Sequence, residues 1–118
     1  MEKITSTRVI VVEGLDDKRF IEALLTFLGI QGVQVVFVDG KSNFRTQIQA
    51  LKNIPGFNLL TMCAFIRDSD SNPPISAFNS IRDSLTSAGI TPPSEIQTFT
   101  TDSPRIGYLW QPEFRTPH

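Results

Sequence analysis

Apolar residues recur along this chain in two alternating rhythms. Arg8-Val9-Ile10-Val11-Val12 is a continuous β-branched run, the mark of a strand covered on both faces. It ends in Glu13-Gly14-Leu15-Asp16-Asp17, where Gly14 allows a tight turn and Asp16 is placed to cap a helix. The spacing then turns helical. Phe20, Leu24 and Phe27, widened by Ile21, Leu25 and Leu28, predict a helix to about Leu28, stopped by Gly29. Val33–Val38 predicts a second buried strand, ending at Asp39-Gly40-Lys41. Ser42 or Asn43 can cap a second helix carrying Phe44, Ile48 and Leu51, which Pro55-Gly56 breaks.

Leu59–Ile66 predicts the third strand, running into Arg67-Asp68-Ser69-Asp70. Asn72-Pro73-Pro74 opens a third helix with the stripe Ile75, Phe78, Ile81, Leu85 and Ala88, and Gly89 ends it. Beyond Thr91-Pro92-Pro93, Ile96–Thr100 reads as a short edge strand and Arg105–Trp110 as a further strand with Gly107 as its weak spot. Residues 111–118 form a short polar tail. Strand and helix alternate three times with short connections, which predicts an α/β fold: a compact parallel sheet of about four strands with helices on both faces. The 118 residues make a single domain, its core from about 8 to 110.

Composition narrows the chemistry. The chain is 40% hydrophobic and 19% charged, as expected of a soluble, cytoplasmic globular protein; its longest apolar runs are strand length, so no membrane span is expected. The single cysteine, Cys63, lies inside an apolar run, and the single histidine is the last residue, His118. Nucleophilic Cys/His or Ser/His chemistry and histidine-based zinc sites are therefore disfavoured. With 11 Lys and Arg against 12 Asp and Glu, the net charge of −1 argues against binding nucleic acid through overall positive charge, though it permits a local basic patch.

The acids are placed rather than scattered. Glu13, Asp16 and Asp17 follow the first predicted strand, Asp39 the second, and Asp68 and Asp70 the third. Right-handed crossovers put all three groups on one edge of the sheet, where open α/β sheets bind ligands. If the first and third strands are neighbours, Glu13 and the Asp68/Asp70 pair come within reach of one ion. Oxygen donors suit Mg²⁺ or Mn²⁺, with phosphate oxygens filling the open positions. Lys41 and Arg67 are candidate substrate-phosphate contacts, and Arg45 lies in the second helix. Asp16 reads better as a cap and Asp39 as a turn residue, while Asp17 admits either role. Neither a G-x-x-x-x-G-K-[ST] nor a G-x-G-x-x-G motif occurs.

Val11-Val12-Glu13-Gly14-Leu15-Asp16-Asp17 before a helix, with Ile66-Arg67-Asp68-Ser69-Asp70 after a later strand, resembles the Toprim domain of topoisomerases, bacterial primases, RecR-type recombination proteins and OLD-family nucleases. The likeness is greatest to small stand-alone Toprim-like proteins related to the OLD nucleases, where a glycine-lysine-serine-asparagine turn also follows the second strand, as Gly40-Lys41-Ser42-Asn43 does here. It covers about Arg8 to Trp110. The resemblance implies Glu13 as general acid/base or metal ligand, Asp68 and Asp70 as Mg²⁺ ligands, and Asp17 as a further acid of the nuclease branch. Those stand-alone proteins continue into another acidic helical segment where this sequence ends at Gln111–His118, so a shortened version is expected.

The leading expectation is a Mg²⁺-dependent, nuclease-like enzyme acting on nucleic-acid phosphodiesters, centred on Glu13, Asp68 and Asp70. The alternative is a catalytically inactive Toprim-like module that docks on a partner or self-associates; an exposed sheet edge and the apolar residues Trp110 and Phe114 fit a homo-oligomer. A receiver-like phosphoacceptor fits less well, because Glu13-Gly14 intervenes between the first strand and the Asp16/Asp17 pair.

Overall fold

The computed structural model describes residues 3–37, 44–68, 74–95, 98–101 and 104–111, and for 44–47, 67, 68, 74–78, 80, 110 and 111 the backbone alone. Its elements are β1 (Arg8–Val12), α1 (Leu15–Leu28), β2 (Val33–Phe37), α2 (Phe44–Lys52), a 3-10 turn (Phe57–Leu59), β3 (Met62–Asp68), α3 (Pro74–Ser87) and β4 (Arg105–Gln111). The strands form one parallel sheet in the order β2-β1-β3-β4. The fold is α/β, with helices on both faces.

Pleating sorts the strand residues into two cores. Val9, Val11, Val36, Cys63, Phe65, Ile106 and Tyr108 meet Ile48 and Leu51 of α2 and Ile81 and Leu85 of α3 in the larger. On the opposite face Val12 and Val35 meet Ile21 of α1, with Ile10, Phe20, Leu25, Phe37 and Ile66 packed around them. Both faces of β1 are thus covered, which is why that strand is apolar without alternation.

α1 and α3 close in the same way. Gly29 and Gly89 adopt left-handed φ of 72° and 78°. The following Ile30 and Ile90 N–H groups donate to Leu25 O and Leu85 O, each at 2.9 Å. Glycine tolerates this conformation without a Cβ penalty.

Several predicted boundaries shift for identifiable reasons. Gly14 caps α1 with an extended backbone (φ −177°) and no side-chain cap bond. No tight turn is needed there, and Asp16 sits one residue inside the helix rather than capping it. Leu59 belongs to the 3-10 turn and is 72% exposed, so β3 starts at Met62. β3 also runs on to Asp68, because β4 pairs with it as far as Gln111. Ile96 lies outside the described residues, as does Val38, and Phe99 makes only an isolated antiparallel bridge to Gly107. Of the apolar positions on α1, only Ile21 is fully buried, while Phe27 is 85% exposed. The polar lead-in is anchored: Ile4 is buried, the Thr5 N–H donates to Gln34 Oε1 at 2.7 Å, and Gln34 Nε2 donates to Lys3 O at 2.8 Å.

Gly107 is the place where the isolated bridge closes down. A Cβ there would lie 2.5 Å from Cε2 of the Phe99 ring, and the Arg105 guanidinium sits 5.6 Å from the centroid of that ring, a cation–π arrangement. Gly107→Ala is expected to destabilise the fold by about 1–3 kcal/mol, the usual range for overpacking. Adding Phe99→Ala should then cost less than it does in the wild-type background. Thermal melts of the two single variants and the double variant measure this, and strictly additive shifts would exclude the contact.

Candidate functional site

The strand order decides whether the sequence's acids can meet. From β1 the chain crosses to β2 on one side, then returns past β1 to β3 on the other. The connections leaving β1 and β3 therefore diverge, and the crevice between their C-terminal ends is the topological switch point of the sheet, where open α/β folds place ligands. β1 and β3 are hydrogen-bonded neighbours whose register runs from Arg8↔Met62 to Val11↔Phe65. Glu13 lies two residues beyond Val11, and Arg67 and Asp68 lie two and three beyond Phe65. Adjacent strands are about 4.8 Å apart, so Glu13 and the end of β3 share one short stretch of the sheet edge.

Glu13 is partly buried, pinned between β1 and the start of α1. The helix opens immediately after it, with the Lys18 N–H donating to Gly14 O at 3.0 Å. Asp16 and Asp17 occupy the first turn, where negative charge is favoured by the helix dipole. They differ in setting. Asp16 is exposed, whereas Asp17 is partly buried and its Oδ2 reaches back to within 3.8 Å of where a Gly14 side chain would begin. Asp17 thus turns toward the Glu13-Gly14 corner, and Asp16 does not.

The structure therefore brings together Glu13, Asp17 and the backbone position of Asp68. The side chains of Arg67, Asp68 and Arg45 are not described, and Asp39, Lys41 and Asp70 lie outside the described residues. Among the described residues there is no group of three His, Cys, Asp or Glu side chains arranged to hold a metal. The donor chemistry at the switch point is carboxylate oxygen, which suits a hard divalent cation. Cys63 is excluded from this chemistry: it lies wholly inside the larger core, and burial pushes its thiol up to about 12, leaving it protonated at neutral pH and a poor nucleophile.

The acids were expected at this edge of the sheet, and their meeting was expected only on the condition that β1 and β3 are neighbours. Acid placement was visible in the residues, but the adjacency of β1 and β3 depends on strand order, which no local pattern encodes. Among the described residues, no helix is long and apolar enough to cross a membrane. Comparison with protein-family models matches residues 7–117 to a family described as a protein of unknown function. No curated protein and no solved structure matches the chain.

Proposed function

The chain belongs to the family DUF3226, and we propose that it processes nucleic-acid phosphodiesters in a Mg²⁺- or Mn²⁺-dependent, nuclease-like reaction. The observation that carries this reading is the adjacency of β1 and β3, which sets Glu13 and the Asp68-containing strand end on the two sides of the switch point. The resemblance of the Glu13-Gly14 and Asp68-Ser69-Asp70 stretches to the Toprim domain supports it. Glu13, Asp17, Asp68 and Asp70 would hold the ion. When bound, a divalent cation supplies charge neutralisation at the phosphate and at the leaving oxygen.

In this reading the Glu13 carboxylate would take a proton from the attacking water, whose oxygen bonds the phosphorus as the opposite P–O bond breaks, and the leaving oxygen takes up a proton from solvent. Lys41 and Arg67 would bind neighbouring phosphates. A chain with net charge −1 gains its affinity locally at such contacts, so binding is expected to weaken with salt only in proportion to the few phosphates neutralised.

Calorimetric titration with Mn²⁺ tests the site. Binding to the wild-type chain is expected, with loss of at least about tenfold in affinity, or about 1.4 kcal/mol, in Asp68→Ala and in Asp70→Ala. Unchanged binding in both variants would rule out this metal site. Intact metal binding without DNA cleavage would instead favour a non-catalytic binding module built on the same carboxylates.

A further inference from the structure

Opposite the switch point, at the end of the sheet where β3 and β4 begin, lies a cavity of about 210 Å³. Phe57 of the 3-10 turn, Ile90 after α3 and Ile106 of β4 wall it, and all three belong to the larger core. Pro104 extends the apolar lining. The remaining lining is polar: Lys52 at the end of α2 and Thr91 are exposed, and Thr100 is half-buried.

Local backbone geometry places the one charge. Gly89 turns the chain out of α3 through a left-handed φ of 78°. Because it has no Cβ, the Lys52 ammonium can lie over it; a side chain there would begin 2.8 Å from Nζ. Lys52 Nζ donates to Ala88 O at 2.7 Å. α3 has no basic residue of its own in its last turn, so Lys52 supplies the cation that the negative end of the helix dipole favours. Among the described residues no carboxylate pairs with Lys52, and none lines the cavity.

Hydrogen bonding around the cavity is unbalanced. Its carbonyl acceptors are occupied. Ala88 O receives Lys52, Thr100 O receives Arg105 Nε at 3.3 Å, and Ile106 O receives the Thr100 N–H at 2.8 Å. Its donors are left over. An ammonium carries three protons, and Lys52 uses one on Ala88 O. The Thr100 hydroxyl accepts the Ile106 N–H at 2.9 Å, which leaves its own proton to give. Neither the N–H nor the hydroxyl of Thr91 has a partner among the described residues. Spare donors around a fixed positive charge call for an anionic acceptor, and the apolar wall calls for a hydrocarbon body beside it.

We propose that this cavity binds a small monocarboxylate with an apolar body, a short branched-chain or aromatic acid. The carboxylate meets Lys52 and the threonines, and the hydrocarbon part lies against Phe57, Ile90 and Ile106. The size agrees, since an apolar cavity of about 150 Å³ takes up benzene. Inorganic phosphate would satisfy the donors and leave the apolar wall wet. The cavity stands at the start of β3 and β4 and the switch point at the strand ends, so the proposal does not depend on the function proposed above.

Amide NMR of the full chain titrated with benzoate tests it. Saturable shifts centred on Ile90, Thr91 and Ile106 are expected, with a dissociation constant of about 1 mM or tighter. Benzyl alcohol, which keeps the ring and lacks the charge, should bind at least about tenfold more weakly. Lys52→Met keeps the apolar stem and removes the charge, so it should weaken benzoate to the level of benzyl alcohol and leave benzyl alcohol unchanged. If that variant disturbs the end of α3, the comparison of the two probes on the wild-type chain still decides. No saturable shift with benzoate, equal affinity for both probes, or benzoate binding that survives Lys52→Met would each overturn the proposal. Inorganic phosphate binding there as tightly as benzoate would overturn it too, because the apolar wall would then contribute nothing.

Discussion

Glu13→Ala is expected to lower the proposed Mn²⁺-dependent DNA cleavage by about two to four orders of magnitude, the usual worth of a positioned acid or base, while leaving both hydrophobic cores intact. The two parts of the expectation have separate causes. Glu13 lies beyond the last residue of β1 and belongs to neither hydrophobic core. Losing its side chain should therefore open no cavity in either core, and its cost should stay within the roughly 0.5–3 kcal/mol of most single substitutions. Glu13→Gln keeps the shape and removes the charge, so it should lose as much activity as alanine if proton transfer or metal binding is the role. Asp16→Ala provides the contrast and should leave cleavage unchanged, because Asp16 is exposed in the first turn of α1. Cleavage of a labelled DNA duplex, read beside thermal melts of each variant, checks all three. Full activity in Glu13→Ala would remove Glu13 from the chemistry.

The largest expected effect on stability is at Gly56. Its backbone holds φ 98° and ψ −12°, a conformation that costs an L-residue roughly 1–2 kcal/mol. A Cβ there would also run into the carbonyl of Ile4. That atom is backbone and cannot swing aside as a side chain could. Accommodating an alanine means lifting the lead-in off the fold, and with it Ile4, which is 4% exposed and whose burial is worth about 1.5–3 kcal/mol. Gly56→Ala is therefore expected to cost about 3–5 kcal/mol, a large share of the 5–15 kcal/mol typical of a domain. A double-mutant cycle with Ile4→Ala identifies the cause. If the lead-in is what gives way, the second substitution should add little to the first. Fully additive losses in denaturant midpoints would mean that Gly56→Ala acts through strain alone.

These two residues also show what sequence could and could not reveal. The strands were legible because Val9–Val12 and Val35-Val36 are β-branched and covered from both faces, a pattern that few other environments produce. The ends of α1 and α3 were legible because Gly29 and Gly89 stop helices by a local mechanism. The apolar flank of α1 misled in one respect. Leu24, Phe27 and Leu28 read as core-facing but are exposed, because α1 lies over an outer strand and the sheet beneath it covers only the side that carries Phe20, Ile21 and Leu25. Leu59 misled because an apolar run can serve a 3-10 turn as well as a strand. Glu13 was legible as a strand-end acid, and its neighbour across the crevice was legible only as a condition on strand order. Gly56 carried no functional signal, since its importance comes from Ile4, more than fifty positions earlier, whose approach no local pattern announces.

The central position of β1 has a further consequence, for how the chain assembles. β1 leaves the ribosome first, yet it must pair with β2 on one side and with β3 on the other. The second pairing joins Arg8 to Met62, about twice as far along the chain as Val33. Each doubling of a closed loop adds only about 0.6 kcal/mol of entropy cost, so chain length barely ranks the two pairings. No strand of this sheet meets its neighbour through a hairpin, and all three ladders are long-range. The folding rate is therefore expected to sit nearer that of mixed α/β domains than that of helical bundles. A new chain holds Val9–Val12 uncovered until β3 has been made, and translation speed through residues 13–61 sets how long that exposure lasts.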